Sequence, residues 1–366
     1  MSSEIETGIR STTDANGDPQ KKRWIAKANK PIKQERDTSE PKAESSSVVL
    51  NLLRKIFSQV PGPLIGLVVL FIGLSFASPF FLTSNNLLNI LTQISAIGIM
   101  AVGALLVVLI GGIDLSVGSV LALSMMSMAW LYKFSPLPFE ATIIAGLLVG
   151  AALGAINGVL VAYGKLQPFV ATLATMSAAA GLALFVTNGN TVNGFPEWFL
   201  QLTRATILGI PIQGIILILI FGITAFWLKY RPSGRALYAI GGNEEVARLS
   251  GISIKRTKVS VFAIAGFLAA VAGLLVTSRL DSAQPTAGAA DLLNVIAVVV
   301  IGGASLAGGS GTALGTFVGL LIIGVLNNGL SLLGVSPNLQ PVVLGAVIVL
   351  AVMTDRRTSK AQSSKA

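Results

Sequence analysis

Residues 87–110 read Leu87-Leu-Asn-Ile-Leu-Thr-Gln-Ile-Ser-Ala-Ile-Gly-Ile-Met-Ala-Val-Gly-Ala-Leu-Leu-Val-Val-Leu-Ile110, an apolar run without a single charged side chain. An α-helix rises 1.5 Å per residue, so about 20 apolar residues cross the roughly 30 Å hydrocarbon core of a bilayer. Similar runs recur along the chain from residue 63 onward. They predict an all-α membrane protein that crosses the bilayer many times.

The composition of the whole chain supports this prediction. Of the 366 residues, 53% are hydrophobic and 11% are charged, whereas an ordinary soluble domain carries roughly 25% charged residues. The chain has neither cysteine nor histidine. Disulfides and thiolate metal sites are therefore excluded, and the usual zinc ligand is missing. We expect neither a metal nor a cofactor.

Ten apolar runs predict about ten transmembrane helices. They cover residues 63–82, 87–110, 115–134, 140–163, 168–187, 207–228, 259–278, 292–309, 312–333 and 337–354. If the N-terminus is inside, 23 of the 26 Lys and Arg residues fall on the cytoplasmic side. The three on the outside are Lys133, Arg204 and Arg279. This asymmetry is the one that the positive-inside rule requires. Both termini are predicted to be cytoplasmic, and topology rather than nucleic-acid binding explains the net charge of +10.

The two ends of the chain differ in composition from its apolar middle. Residues 1–47 are rich in Lys, Arg, Asp, Glu, Ser and Pro, and such a segment buries too little apolar surface to offset the entropy of ordering. We predict a disordered, charged cytoplasmic tail at 1–47, a transmembrane domain at 48–355, and a basic C-terminal tail at 356–366.

Ionisable groups are scarce in the predicted spans, where a charge at mid-bilayer costs roughly 3 kcal/mol. Asp114 is the only carboxylate within the apolar block 87–134, and it stands beside Gly111 and Gly112. It is predicted either to cap the helix that follows or to act as a gate in a translocation path. Ion-coupled transporters normally need several carboxylates near the midplane. The driving energy is therefore expected to come from elsewhere.

Uncharged polar side chains in the spans are further candidates for a path. They are expected either to line a water-filled route for a hydroxyl-rich solute or to hydrogen-bond between helices. Together with Asp114, the candidate path residues are Ser116, Asn157, Thr172, Thr175, Asn294, Asn327 and Asn328.

The loop at residues 229–258 is predicted to be cytoplasmic and to contain a short helix at 244–250. Asn243 caps this helix, two glutamates follow in its first turn, and Gly251 supplies a left-handed stop. A rigid, capped helix between two membrane spans is suited to act as a peg.

The apolar side chains of this short helix predict its role. Val246, Ala247 and Leu249 are predicted to be exposed and to fit a groove on a cytoplasmic partner. The alternative is an amphipathic connector that rests on the membrane surface.

The sequence contains one partial internal repeat. Residues Ile110-Gly-Gly-Ile-Asp-Leu-Ser-Val-Gly-Ser119 resemble Ile301-Gly-Gly-Ala-Ser-Leu-Ala-Gly-Gly-Ser310, at an offset of 191 residues. Glycine-interrupted segments at corresponding positions of two halves point to a transport pathway. The predicted topology places both copies on the cytoplasmic side, which does not fit an inverted duplication. Either the repeat is compositional or one predicted boundary is wrong.

Three blocks of sequence carry a family resemblance. They are Gly234-Arg-Ala-Leu-Tyr-Ala-Ile-Gly-Gly-Asn243 followed by Ala247-Arg-Leu-Ser-Gly-Ile252, then Gly111-Gly-Ile-Asp-Leu-Ser-Val-Gly118, and Val298-Val-Val-Ile-Gly-Gly-Ala-Ser-Leu-Ala-Gly-Gly-Ser-Gly-Thr312. Over roughly residues 60–355 the chain resembles the permeases of bacterial ABC importers for monosaccharides, the group that handles ribose, xylose, arabinose and galactose.

The resemblance implies a ten-helix, multi-pass subunit of the bacterial inner membrane. Such a subunit dimerises around a central path, binds two copies of a cytoplasmic ATPase through a coupling helix, and receives sugar from a periplasmic binding protein. A ribose-like pentose is the favoured cargo. The residues implied in ATPase coupling are Gly241, Gly242, Asn243, Glu244, Glu245, Ala247, Leu249 and Gly251.

The sequence agrees with a transport subunit that is not itself an enzyme. The glycine-rich run at 308–312 lacks the lysine of a phosphate-binding loop, so a separate chain is expected to hydrolyse ATP. On the outside, Glu197 and Asp281 are predicted contacts for the binding protein.

Alternative functions remain open at this point. The main one is a self-contained secondary transporter or facilitator for a polar solute. The family resemblance also leaves room for export and for non-sugar cargo. A membrane-embedded enzyme would need catalytic His, Cys or paired carboxylates in the spans, and the sequence contains no such set.

Overall fold

The computed structural model describes residues 62–347 and 349. The charged tails predicted at 1–47 and 356–366 lie outside these residues. Within the described part, extended structure is confined to four strands of two residues each. The fold there is all-α, as the apolar runs predict.

The described helices and strands follow one another along the chain. They are α1 (Gly62–Ala77), α2 (Ser84–Leu109), α3 (Val117–Phe134), α4 (Phe139–Ala162), α5 (Pro168–Val186), β1 (Val192–Asn193), α6 (Glu197–Arg204), β2 (Thr206–Ile207), β3 (Ile210–Pro211), α7 (Ile212–Tyr230), α8 (Pro232–Gly242), α9 (Glu244–Leu249), α10 (Ile254–Leu280), β4 (Ser282–Ala283), α11 (Asp291–Ile301) and α12 (Ala313–Leu332). Residues 340–347 are also helical.

Seven of the described helices are long and apolar enough to cross a membrane. They are α2, α3, α4, α5, α7, α10 and α12. Two further apolar helices, α1 and α11, are shorter, at 16 and 11 residues. The chain is therefore a multi-pass membrane protein, and these nine helices coincide with the first nine predicted spans.

Four predicted spans have boundaries that are wrong by five residues or more. The span predicted at 63–82 ends at Ala77, and the span predicted at 259–278 begins at Ile254. The other two differ for a local reason. The span predicted at 207–228 begins only at Ile212, because residues 206–211 form the antiparallel β2–β3 hairpin. The span predicted at 292–309 ends at Ile301. A glycine with positive φ follows two residues later, and a left-handed glycine is a common way to end a helix.

Helix α2 lies at the centre of the bundle. Of its most apolar stretch, 72% is buried within the protein, against 28% for α4 and 28% for α5. Side chains such as Ile99 and Leu105 are fully buried, and α2 contacts α7, α10, α11 and α12. A helix that is apolar on all sides belongs in an interior. The outer helices expose apolar side chains such as Ile144 and Leu148 of α4, as lipid-facing helices do.

Helices α4 and α10 approach each other closely through glycine. On α4, glycines stand four residues apart, on one face of the helix, at positions 146, 150, 154 and 158. A Cβ added at Gly154 would lie 2.9 Å from the backbone carbonyl carbon of Phe262, and one at Gly158 would lie 2.5 Å from the Cα of Val259. Small residues at this spacing let membrane helices pack backbone to backbone.

The ends of the helices form two separate faces of the bundle. On one face, strands β1 and β4 pair, and Lys133 Nζ donates to the Gly194 carbonyl at 3.4 Å. On that face the Asp281 carboxylate also accepts the Phe195 N–H at 3.0 Å. On the other face, the end of α2 meets the loop between α7 and α10. This division agrees with the sides that the Lys and Arg distribution predicts.

Candidate functional site

Irregular backbone interrupts the bundle in two places. Residues 110–116 separate α2 from α3, and the segments 284–290 and 302–312 flank the short helix α11. The segment 284–290 packs against α3: a Cβ added at Gly118 would lie 2.8 Å from the carbonyl carbon of Gly288. Irregular backbone at membrane depth is tolerated where protein buries it or where it lines a cavity. Transporters often place their substrate sites at such broken helices.

A chain of buried hydrogen bonds ties the first interruption to α4 and α5. The Asp114 Oδ1 atom accepts bonds from Ser116 N at 2.8 Å and Ser116 Oγ at 2.6 Å. Asn157 Nδ2 donates to Ser116 Oγ at 2.9 Å, and Thr175 Oγ1 donates to Asn157 Oδ1 at 2.5 Å. All four side chains are buried. Each side-chain amide and hydroxyl group in this series of hydrogen bonds thus has a partner away from water.

Thr172 adds a second connection to the same segment. Its Oγ1 atom lies 3.2 Å from the backbone oxygen of Ile113 and 3.2 Å from the backbone nitrogen of Leu115. These two backbone groups belong to residues 110–116, so no regular helix satisfies them. We refer to Asp114, Ser116, Asn157, Thr172 and Thr175 as the break network.

Asp114 does not occupy the cap position that the sequence suggests. Helix α3 begins at Val117, and Ser116 is its N-cap residue without a side-chain capping bond. The Asp114 carboxylate instead accepts the Ser116 N–H, two residues ahead of it. This is an Asx turn that shapes the chain just before the helix.

The remaining candidate path residues lie on α11 and α12. Asn328 exchanges two hydrogen bonds with Asn86 of α2, at 3.0 and 2.8 Å. It therefore joins two helices and does not belong to the break network. Asn294 and Asn327 are partly buried, and neither has a bond to the break network among the side-chain hydrogen bonds of the described residues.

The short helix α9 confirms the predicted cap and stop. Asn243 Oδ1 accepts the Val246 N–H at 3.0 Å, and Gly251 has a φ of +82°. Arg248 forms an ion pair with Glu245 at 2.5 Å. This hydrogen bond and the carboxylate charge raise the pKa of Arg248 above its usual value, so the guanidinium of α9 stays charged.

The apolar side chains of α9 divide into two sets. Val246 and Leu249 are exposed, by 58% and 77%. The prediction that Ala247 is also exposed is wrong, since Ala247 is only 2% exposed. In a one-and-a-half-turn helix, residues three apart share a face, and the face with Ala247 packs onto the protein. A partner can therefore reach Val246 and Leu249 but not Ala247.

Helix α8 connects α9 to both copies of the internal repeat. Gly309 N donates to the Leu109 carbonyl at 3.0 Å, which joins the second copy to the end of α2. A Cβ added at Gly241 would overlap the Leu109 oxygen and the Gly309 nitrogen. One added at Gly308 would lie 2.8 Å from the Cα of Gly111. We call Leu109, Gly111, Gly241, Gly308 and Gly309 the glycine junction.

Tyr238 strengthens the glycine junction from α8. Its hydroxyl donates to the Gly311 carbonyl at 3.0 Å. Burial raises the pKa of Tyr238 above its usual value, so the hydroxyl keeps the proton that it donates. Three backbone segments therefore meet here: the end of α2, the segment 302–312 and the end of α8.

Two residues that form these contacts, Asn86 and Tyr238, were not predicted from the sequence. Asn86 stands one residue before the predicted span 87–110, so it was not counted among the intramembrane polar residues. Tyr238 lies in a cytoplasmic segment whose tertiary partner is 73 residues away along the chain. The internal repeat contains residues 308 and 309, and its two copies are in contact through Gly308 and Gly111.

These features define a multi-pass membrane permease. A family model described as "Branched-chain amino acid transport system / permease component" matches residues 86–352. The match covers most of the chain, and the protein belongs to this family of transport permeases. It is accordingly a transport subunit, as the motifs at 111–118, 234–252 and 298–312 indicate.

Curated relatives match nearly their full length. The "Ribose import permease protein RbsC" of Bacillus subtilis (strain 168) is 49% identical over 300 residues, which is 81% of this chain and 93% of the relative. The protein of the same name from Haemophilus influenzae is 47% identical over 295 residues, 80% of this chain and 91% of the relative. The "D-allose transport system permease protein AlsC" of Escherichia coli (strain K12) is 42% identical over 286 residues, 78% and 88%. No solved structure matches the chain significantly.

Proposed function

We propose that this chain is the membrane-spanning subunit of an ATP-driven importer in the bacterial inner membrane, and that it forms the path for a monosaccharide. A ribose-like pentose is the favoured cargo. Support comes from the relatives that are 47–49% identical and carry the name ribose import permease. The D-allose permease at 42% identity favours the same class of cargo.

The glycine junction is the observation that carries the mechanism. Helix α9 presents Val246 and Leu249 to a partner, and α8 connects α9 to both interruptions of the bundle. A cytoplasmic ATPase that pulls on α9 therefore moves α8, and α8 displaces the segments 110–116 and 302–312 together. Such a displacement switches the path from outward to inward exposure.

The proposed topology has ten spans with both termini in the cytoplasm. The nine apolar helices of the described residues supply nine of them, and the helical residues 340–347 begin the tenth. The glycine junction and α9 then lie on the cytoplasmic face, and the β1–β4 pair lies on the periplasmic face. The uneven distribution of Lys and Arg supports this orientation.

We assign the break network to the translocation path in its closed state. Its five side chains hold the interruption between α2 and α3 against α4 and α5. Opening the path requires that some of these bonds be exchanged for bonds to water or to sugar hydroxyls. Asn294 and Asn327 remain candidates for the opposite wall of the translocation path. Asn328 is assigned to helix pairing with Asn86.

The proposed assembly has two copies of this chain, two copies of a cytoplasmic ATPase and a periplasmic binding protein. A dimer follows from the family resemblance. Docking of the binding protein is assigned to the face with the β1–β4 pair. On that face the Asp281 carboxylate already accepts the Phe195 N–H, and Glu197 lies 3.5 Å from Arg204.

Reconstitution tests the energy source. Proteoliposomes are prepared with this chain alone and with this chain plus the ATPase and binding protein that co-purify with it. Uptake of labelled ribose against its gradient is expected only in the complete assembly and only with ATP. Rapid equilibration of ribose by the chain alone would instead support the secondary transporter or facilitator.

The same assembly tests the cargo. Unlabelled ribose, allose and leucine compete with labelled ribose for uptake. Ribose is expected to compete most strongly, and leucine, the cargo class in the name of the family, is expected to have no effect. Strong competition by leucine would show that the sugar assignment is wrong while leaving the ATP-driven mechanism in place.

A paired substitution tests whether α9 contacts the ATPase. Leu249→Asp places a charge on the exposed side of α9, and Leu208→Asp makes the same change at the 98% exposed tip of the β2–β3 hairpin. Burying a leucine is worth roughly 1.5–3 kcal/mol, so Leu249→Asp should weaken ATPase capture in detergent about 10- to 150-fold. Leu208→Asp should leave it unchanged. Equal capture by both variants would contradict the proposed role of α9.

A further inference from the structure

A cavity of about 730 Å³ opens beside α9 on the face that carries the glycine junction. One wall is the end of α4 and the turn that follows it, residues 161–168, and the other is α9 with the start of α10. The cavity is separate from the break network, since none of the five network residues lines it. The transport mechanism described above makes no use of it.

The lining of this cavity is strongly basic. Five cationic side chains line it, against the single carboxylate of Glu244. They are Lys165, Arg248, Lys255, Arg256 and Lys258. Lys258 forms an ion pair with Glu244 at 2.7 Å, and Arg248 forms one with Glu245. Among the described residues, the other three cations have no ion-pair partner.

Part of the cavity wall is apolar, and we call this part the apolar floor. It is formed by the last turn of α4 and the first residue of α10, with Val161, Ala162 and Ile254 buried there. Leu166 and Tyr163 are exposed, by 42% and 55%. In the proposed topology these apolar groups, at the cytoplasmic ends of α4 and α10, lie at the boundary between the headgroups and the hydrocarbon.

The lining of the cavity matches both parts of an anionic lipid: its cations suit the charged headgroup, and its apolar floor suits the acyl chains. Basic pockets between the cytoplasmic ends of membrane helices bind anionic lipid headgroups. An aromatic ring at the same level suits the headgroup region, and Lys255 Nζ lies 5.0 Å from the centroid of the Tyr163 ring. A soluble anion would use the cations but would gain nothing from the apolar floor.

We propose that this cavity binds an anionic phospholipid of the inner leaflet, with its phosphate held by Lys165, Lys255 and Arg256. The acyl chains leave along the apolar ends of α4 and α5. Because Glu244 and Arg248 of α9 belong to the same lining, the bound lipid connects the ATPase-facing helix to the end of α4. The inference uses the proposed cytoplasmic orientation of this face but does not depend on the identity of the cargo.

The test measures lipid binding to the purified full-length permease, alone and in the complete assembly. Native mass spectrometry records retention of phosphatidylglycerol, with the zwitterionic phosphatidylethanolamine as the competing lipid. The cavity variant carries Lys165→Gln, Lys255→Gln and Arg256→Gln. The matched control carries Lys229→Gln, Arg231→Gln and Arg235→Gln, which remove the same charge from the same face at residues that do not line the cavity.

The wild type and the control are expected to retain phosphatidylglycerol in preference to phosphatidylethanolamine. The cavity variant should bind it about a hundredfold more weakly, since each of the three cations near a headgroup contributes roughly a factor of five. Thermal unfolding curves of the three proteins establish that all are folded. The permease alone and the complete assembly should rank the three proteins in the same order of lipid retention.

Three results would overturn the proposal. Equal weakening in the control would show that only the general charge of the face matters. Displacement of the lipid by inorganic phosphate would show a site for a soluble anion. A cavity variant that keeps its lipid but loses the ATPase would assign the cavity to the protein interface. None of these results bears on whether ribose is transported.

Discussion

Substituting Gly241 by alanine adds one methyl group at the centre of the glycine junction. The new Cβ would overlap two backbone atoms, the Leu109 oxygen and the Gly309 nitrogen. Non-bonded heavy atoms in contact need about 3.5 Å, so α8 must retreat by more than about 1 Å from both atoms. Backbone atoms cannot rotate away as a flexible side chain can. We therefore expect the cost of overpacking, about 1–3 kcal/mol.

The neighbouring glycine supplies the control for this substitution. Gly242 is also within α8, yet a Cβ there has nothing within 4 Å. Alanine has a higher helix propensity than glycine by about 1 kcal/mol, so Gly242→Ala should be neutral or slightly stabilising. Any difference between the two variants reports on the contact rather than on helix propensity.

Transport and ATP hydrolysis are measured together in proteoliposomes with the complete assembly. If the cost of overpacking opposes the coupled movement of α8 and the two interruptions, 1–3 kcal/mol corresponds to a loss of uptake of about 5- to 150-fold. ATP hydrolysis should continue, because α9 and its exposed side chains remain in place. Gly242→Ala should transport like the wild type. Full uptake by Gly241→Ala would refute the view that α8 conveys motion through the glycine junction.

Two further predictions concern the packing of the bundle. Gly154→Ala places a Cβ 2.9 Å from the Phe262 carbonyl carbon, and it should destabilise the protein by about 1–3 kcal/mol, whereas Gly222→Ala, with nothing within 4 Å, should not. Thermal unfolding in detergent distinguishes the two, and equal midpoints would contradict close α4–α10 packing. For the paired amides, a double-mutant cycle of Asn86→Ala and Asn328→Ala should give a coupling energy of about 0.6 kcal/mol, the average for hydrogen bonds between membrane helices. A coupling of zero in chemical unfolding would mean that these two bonds do not stabilise the native state.

The fold class was predictable because the bilayer imposes a strict length and polarity on each span. Runs of about 20 apolar residues have few alternative structures at that depth. Helix α9 was predictable for a local reason as well, since Asn243 and Gly251 act within their own turn. The boundaries at Ile212 and Ile301 were missed because apolar residues also occur in a hairpin and in a glycine-rich loop.

The candidate site was predictable only in its residue types. Asp114, Asn157 and Thr175 were each identified as intramembrane polar residues, but nothing in the sequence says that they share one chain of hydrogen bonds. Nor could the pattern tell that Ala247 faces inward while Val246 and Leu249 face outward. In a six-residue helix, the buried face depends on what lies beneath it.

Apolar run lengths, charge asymmetry and local caps thus established a multi-spanning helical permease with a capped helix in its basic loop, because each of these properties acts within one segment of chain. The contact between the two repeat copies, their attachment to α8, and the cavity beside α9 arise from the tertiary arrangement. They join residues such as Leu109 and Gly309 that are far apart in sequence. Such contacts depend on how closely whole helices approach, and that distance is a property of the packed bundle.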